Sequence, residues 1–245
     1  SNHDEAQYFA NVENLDAATG MLIDHIDKLG YKEDTLIIFT SDNGPETLNR
    51  YKSAKRSYGV SGPLRGMKLH THEAGFRVAG IMRWPAQIKP GQKSDTSVSS
   101  LDFLPTFAGL ADAEIPDDLT LDGTNFLPAI NGDPLPREKP LLWAYYNSYN
   151  GSEHVPTVAM RDGNMKVRAT LHGMKQTSQL DKANLEAIQS ATLGDFEIYD
   201  LSKDLAEENP LPTEGNPLPE KMKRLYGELL SDSHIWPAVK KAKNQ

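Results

Sequence analysis

The chain contains no cysteine, which excludes disulfides, thiolate metal sites and a cysteine nucleophile, and leaves the redox compartment unread. It also lacks any apolar run approaching the ~20 residues of a membrane-spanning helix. No basic-then-apolar leader stands at its start. Excess positive charge is missing as well. The 26 Lys and Arg against 34 Asp and Glu give a formal net charge of -8, the wrong balance for a protein that grips nucleic acid by neutralising phosphates. What is present, 245 residues of which 38% are hydrophobic and 24% charged, suffices for one large or two small cores. Ser1-Asn2 reads as an appended pair joined to mid-domain sequence, so we expect an excised portion of a longer protein.

The stretch from Thr35 to Gly44 organises the rest. Leu36 to Phe39 are continuously apolar, which predicts a central strand covered on both faces, and the run ends in Ser41-Asp42-Asn43-Gly44. Asp42 and Asn43 would then stand at the carboxyl end of a strand, where ligands of open α/β sheets collect. Their hard oxygens suit Ca²⁺ or Mg²⁺ better than zinc. The competing reading is an Asx-turn, in which both side chains bond only nearby backbone groups.

Around this stretch, apolar positions Phe9, Val12, Leu15, Leu22, Ile26 and Leu29 recur at helical spacing and end at Gly30. Pro45 to Gly62 is a polar loop whose Lys52, Lys55 and Arg56 offer positive charge to an anion. Phe76 to Met82 reads as a strand, and Leu101 to Leu110 as a helix with Pro105 in its first turn. His70 and His72 have the spacing that puts both on one face of a strand. Beyond the turn chemistry of Asn131-Gly132-Asp133-Pro134, the pattern changes to closely spaced strands. These are Leu141 to Tyr146, Thr157 to Arg161 and Met165 to Ala169 about Asp162-Gly163-Asn164, and Phe196 to Leu201. Leu171 to Gly194 reads as a polar insertion with helical character at Leu185 to Ile188, Pro217 to Leu230 as a terminal helix, and Asn150-Gly151-Ser152 as a glycosylation sequon.

Taken in order, Ser41-Asp42-Asn43-Gly44, then Gly62-Pro63-Leu64-Arg65-Gly66-Met67-Lys68-Leu69-His70-Thr71-His72-Glu73-Ala74-Gly75-Phe76-Arg77 and Arg83-Trp84-Pro85, resemble the carboxyl-terminal half of type I sulfatases of the arylsulfatase and N-acetylgalactosamine-6-sulfatase kind. The resemblance runs from Tyr8 to about Leu230. It implies an α/β, alkaline-phosphatase-like fold, with residues 1–131 in the large domain and 132–245 in a small antiparallel sheet plus helix. It further implies Ca²⁺ held by Asp42 and Asn43, Lys68 against a sulfate oxygen, and a sulfate-ester substrate, aryl sulfate or sulfated glycan. His70 and His72 become substrate-pocket candidates, and Glu73 a buried ion-pair residue with Arg77 as its expected partner. The formylglycine nucleophile of such enzymes would lie in the amino-terminal half of the same protein, the partner this chain is expected to need, and a periplasmic or secreted setting follows from the likeness. Ser61-Gly62-Pro63-Leu64-Arg65 fits the loose Ser-x-Pro-x-Arg pattern of a formylglycine site, but it stands after the Asp-Asn turn, where the family has the approach to the lysine. We therefore expect sulfuric ester hydrolysis of the parent and no activity of this portion alone. The rivals are a non-catalytic domain that binds sulfated glycan and a phosphate-transferring relative of the same fold group.

Overall fold

The computed structural model describes residues 3–47, 57–135, 137–146, 155–174 and 187–232. The basic loop residues Lys52, Lys55 and Arg56, the sequon at Asn150 and residues 175–186 of the polar insertion lie outside the described residues. The chain divides into two compact units, Ser1–Ser61 with Arg77–Lys139, and Gly62–Phe76 with Pro140–Gln245. The division falls at Lys139 rather than at 131, and residues 62–76, expected with the first part, group with the second.

In the first unit, helix α1 (His3–Lys28) carries acidic residues in its first turn and His25 and Lys28 in its last, as the helix dipole favours. It ends at Gly30, whose φ of +85° lets the Tyr31 amide reach the Ile26 carbonyl while the Gly30 amide reaches that of Asp27. The expected apolar stripe forms, but Phe9, Val12, Leu15 and Leu22 on it are exposed. Strand β1 (Ile37–Phe39) pairs antiparallel with β2 (Ile81–Arg83), and these two make a two-stranded sheet. This corrects the expectation of a central, fully covered strand. An apolar run records what a strand is able to bury, whereas the cover comes from neighbours, and among the described residues only β2 is hydrogen-bonded to it. The strand expected at Phe76 to Met82 is likewise displaced: the short helix α2 (Glu73–Phe76) precedes it and β2 starts only at Ile81. The Arg83 guanidinium holds Asp27 of α1 at 2.9 and 2.7 Å, fixing β2 to that helix.

Helix α3 (Phe103–Leu110) follows a 3-10 turn at Ser100–Asp102, with Pro105 in its first turn as expected. Helix α4 (Leu127–Ile130) comes after it. Buried Asp102 organises this region: its carboxylate accepts the amides of Ser99 (2.7 Å) and Thr124 (2.8 Å) and both terminal nitrogens of Arg137.

The second unit is built on four antiparallel strands in chain order, β3 (Leu141–Tyr145), β4 (Thr157–Asp162), β5 (Met165–His172) and β6 (Thr192–Asp200), followed by helix α5 (Leu218–Asp232). The β4–β5 loop is Gly163-Asn164, with Asp162 opposite Met165 and Gly163 at φ +60°, the left-handed first position that a two-residue hairpin favours. β6 begins earlier than its apolar run, so both ends of the expected polar insertion are ladder: Leu171 pairs with Leu193 and His172 with Thr192. Alternation along the strands makes two faces. Val158, Met160, Val167, Ala169, Leu171 and Ile198 form a core with Met222 and Tyr226, one turn apart on α5. Thr157, Arg161, Lys166 and Arg168 point the other way by period, toward Gly62–Phe76.

Replacing Asp102 with Ala strands the Arg137 guanidinium and two amides inside the first unit. The expected loss is about 3–5 kcal/mol of stability, the usual result of removing one partner of a buried pair, read from urea denaturation. A loss below about 1 kcal/mol shows that the network is incidental.

Candidate functional site

The Asp42-Asn43 turn belongs to the first unit, and Lys68, His70 and His72 to the second. At the turn after β1, Asp42 Oδ1 accepts the Asn43 amide at 2.9 Å and the Ser41 hydroxyl at 3.4 Å, and the Asn43 carboxamide donates to the Gly44 carbonyl at 3.0 Å. The bonding is local, although Asp42 takes the amide of the next residue and not the one two residues on that an Asx-turn would use. It uses one carboxylate oxygen and the amide nitrogen, and so leaves Asp42 Oδ2 and Asn43 Oδ1, both hard acceptors, without a hydrogen-bond partner among the described residues. The donor set therefore fits part of a Ca²⁺ shell. No cluster of three or more acidic or His residues with metal-binding geometry occurs among the described residues.

Lys68 stands on a turn of the second unit, half-buried, and forms no ion pair or hydrogen bond with any described residue. The next residue, Leu69, has φ +79°, a left-handed conformation that costs a non-glycine residue about 1–3 kcal/mol and persists only where the surroundings over-determine it. Those surroundings are the polar face of the sheet. Thr71 shares a 2.9 Å hydroxyl bond with Thr157 of β4 and accepts from Arg168 of β5 at 3.2 Å. Phe76 stacks on Trp143 of β3 with ring centres 4.0 Å apart, and the Lys166 ammonium lies 4.5 Å over the Phe76 ring. Gly75 packs so closely that an added Cβ would meet the His70 carbonyl oxygen at 1.8 Å.

Beneath this segment lies a buried charge cluster. The Lys166 ammonium sits between Glu73 Oε1 at 3.2 Å and Glu207 Oε1 at 2.8 Å, and Arg161 reaches Glu73 Oε2 at 3.4 Å. The buried ion pair expected of Glu73 is thus made with strands β4 and β5. Burial is the largest influence on each titration: it lowers the Lys166 ammonium below its usual value against the pull of both carboxylates, and raises Glu207 against the pull of Lys166. Sequence reading missed Lys166, Arg161 and Glu207. The first two alternate with apolar residues along their strands and so resemble a solvated face. Glu207 lies in an acidic turn, and nothing local distinguishes it from its neighbours.

His70 and His72 are brought together, with ring centres 6.1 Å apart, but on a turn rather than on one face of a strand. His72 is 8% exposed and neither ring nitrogen has a hydrogen-bond partner. Burial, reinforced by Arg168, Arg65, Lys166 and His70, lowers its pKa from 6.5 to about 2. It is therefore a neutral imidazole able to offer one donor and one acceptor, and not a cation for an anionic ligand.

The family profile described as "Sulfatase" matches residues 2–113, and that described as "N-sulphoglucosamine sulphohydrolase, C-terminal" matches residues 67–230. The chain belongs to the sulfatases. It is 39% identical to steryl-sulfatase of Rattus norvegicus over 138 residues, which are 56% of this chain and 24% of that protein. It is 38% identical to arylsulfatase A of Homo sapiens over 194 residues, 79% of this chain and 36% of that protein. Among solved structures, that of Ps i-CgsB superposes with a TM-score of 0.69 at 26% identity, over 94% of this chain and 44% of that one. The chain thus spans less than half the length of each of these proteins. Its fold is the alkaline-phosphatase-like α/β fold of the family in part, ending in the small antiparallel sheet and helix.

Neutral, buried His72 makes a pH prediction. The unfolded chain takes up a proton near 6.5 and the folded one does not, so the contribution of His72 is intact above that pH and is lost as pH falls toward about 2. Relative to His72→Phe, wild-type stability should fall by up to about 1.4 kcal/mol per pH unit below ~6, measured by urea denaturation across a pH series. Parallel pH curves for the two proteins would contradict the buried, neutral assignment.

Proposed function

We propose that this chain is part of an enzyme that hydrolyses sulfate esters, with Lys68 meeting a sulfate oxygen. The observation that carries the reading is the Lys68 ammonium itself, half-buried, without a counter-ion among the described residues, and followed by strained Leu69. A buried or half-buried cation without a partner is costly unless a ligand supplies the missing charge. Its compact ammonium suits charge that develops on sulfuryl oxygens as the ester bond breaks. Neutral His72, with His70 beside it, is proposed to offer uncharged hydrogen bonds to the substrate. Asp42 and Asn43 are proposed to hold Ca²⁺ through the two oxygens that their turn leaves unused. Bound there, the ion would supply positive charge against sulfate oxygens.

The substrate is proposed to be an aryl sulfate or a sulfated glycan. The solved complex of Ps i-CgsB with k-i-k-neocarrahexaose supports considering a glycan. The nucleophile is proposed to be a formylglycine elsewhere in the intact protein, because this sequence has no Cys and its Ser61 motif contains Arg65, whose guanidinium is engaged by the Glu207 carbonyl and the Tyr199 hydroxyl. The amino-terminal half of that protein is also proposed as the partner that covers the exposed apolar residues of α1 and the Leu104 and Phe107 side of α3.

Two outcomes are expected. The isolated 245-residue chain should not turn over an arylsulfate with or without Ca²⁺, and reproducible hydrolysis lost on Ser61→Ala would reverse that. In the intact enzyme, Asp42→Ala should lower Ca²⁺ affinity and activity together, and Asn43→Ala should act in the same direction. Lys68→Ala should keep most of the metal affinity while turnover falls roughly a hundred- to thousandfold, as on loss of one preorganised charge-stabilising donor. Calorimetric Ca²⁺ titration beside arylsulfate kinetics tests the division of roles, and near-normal turnover of Lys68→Ala would refute it.

A further inference from the structure

Glu207 takes hold of the Lys68 segment on both sides of the lysine. On the amino side, the Arg65 guanidinium donates to the Glu207 backbone carbonyl at 2.9 Å and to the Tyr199 hydroxyl at 3.3 Å. On the carboxyl side, the Glu73 amide donates to Glu207 Oε2 at 2.6 Å. The two held points are joined to each other, because the Ala74 amide donates to the Arg65 carbonyl at 3.0 Å. Lys68 therefore lies on a closed loop whose base is gripped by one residue. Inside it, the His70 amide bonds to the Met67 carbonyl at 3.0 Å and the Gly75 amide to that of His72 at 2.9 Å.

The grip is itself oriented. Glu207 has φ +55°, unusual for a residue that is not glycine, and its second carboxylate oxygen is turned onto Lys166 at 2.8 Å. The turn that bears it is closed by Asp204, whose carboxylate accepts the Glu208 and Asn209 amides at 3.1 and 2.8 Å. Glu207 also helps to balance Lys166, because Glu73 is shared between that ammonium and Arg161. What Glu207 adds beyond this is the pair of bonds to Arg65 and to the Glu73 amide, which flank the lysine.

We infer that Glu207 is a positioning residue for Lys68, a clamp on the turn after β6 that closes the base of the lysine loop and holds Leu69 in its left-handed conformation. Its mechanical part stands independently of the chemistry, while its consequence for turnover rests on the sulfate reading of Lys68. A misplaced charge-stabilising group loses much of its effect, since a displacement of about 1 Å can cost on the order of a hundredfold in rate.

The test has two arms. In this chain, amide hydrogen exchange is followed at His70, Ala74 and Gly75 and across β4 and β5. Glu207→Gln, which keeps the shape of the side chain, should raise exchange at the three loop amides by about tenfold or more and change the β4–β5 amides by less than about twofold, as for local rather than global opening. Arg65→Met, which removes the other hold at an exposed side chain, should do the same if Glu207→Gln proves too damaging to fold. In the intact enzyme, Glu207→Gln should lower kcat for an arylsulfate about ten- to a hundredfold with little change in KM, and Glu207→Asp should recover part of it. Unchanged loop exchange overturns the clamp, and so does equal loosening of loop and sheet, which would mark a general stabilising role. A loosened loop with kcat intact overturns the positioning role. Loss of the sulfate reading shows separately, as normal turnover of Lys68→Ala, and leaves the exchange result to decide the clamp.

Discussion

The placement of the Lys68 segment depends on one buried ion cluster, in which Lys166 lies between Glu73 and Glu207 with Arg161 beside Glu73. Two anions and two cations balance, which is the condition for keeping such groups out of water. Lys166 and Glu207 titrate under opposed influences, burial being the largest for both and the charge of the other partner pulling the opposite way. A cluster of this kind adds little net stability compared with apolar side chains of the same volume. Its effect lies in selectivity, because a register shift of one residue in β4 or β5 would carry Arg161 or Lys166 to the face packed on α5. The same side chains that fix the strand register therefore also receive residues 62–76.

From this follows the two-faced character of the second unit. The apolar face meets α5 through Met222 and Tyr226, in a way that non-directional burial of hydrophobic area is enough to drive. The opposite face uses directional bonds: the shared hydroxyl bond of Thr71 and Thr157, the Arg168 contact to Thr71, and the Glu73 and Glu207 interactions. Directional bonds specify the geometry of an irregular segment, which non-directional burial of area alone does not. An irregular segment with a leucine at φ +79°, and an ammonium without a partner among the described residues, needs the former. The placement of the Lys68 segment is thus built from a surface that alternation alone would assign to solvent.

Two chemistries are kept in separate units of the chain. The Asp42-Asn43 turn satisfies itself locally through the Asn43 amide and Gly44 carbonyl and still leaves two hard oxygens. The lysine loop depends instead on residues more than a hundred positions away, as the separation of Glu73 and Glu207 by 134 residues illustrates. That difference decides how far each could be read in advance. The metal-ligand candidates were legible from a strand run ending in Asp-Asn-Gly, and Lys68 from the segment around it. The groups that hold Lys68 were not.

Local sequence was enough for several elements and for the family: α1 stops just before Gly30, the β4–β5 hairpin turns at Gly163, the terminal helix turns Met222 to the core, and the ordered segments from Ser41 to Pro85 are those of a sulfatase. These follow from periodicity, turn chemistry and local order, all of which act over a few residues. It misjudged β1 and did not speak to the face of β4 and β5 that carries Arg161 and Lys166. It took the folded chain to show that β1 pairs, among the described residues, with β2 alone, that Lys166 is fully buried, and that Glu207 bonds on both sides of the lysine loop. Burial and ion pairing are properties of what arrives from elsewhere in the chain, and a polar residue alternating with apolar ones carries the same local pattern whether water or Glu73 faces it.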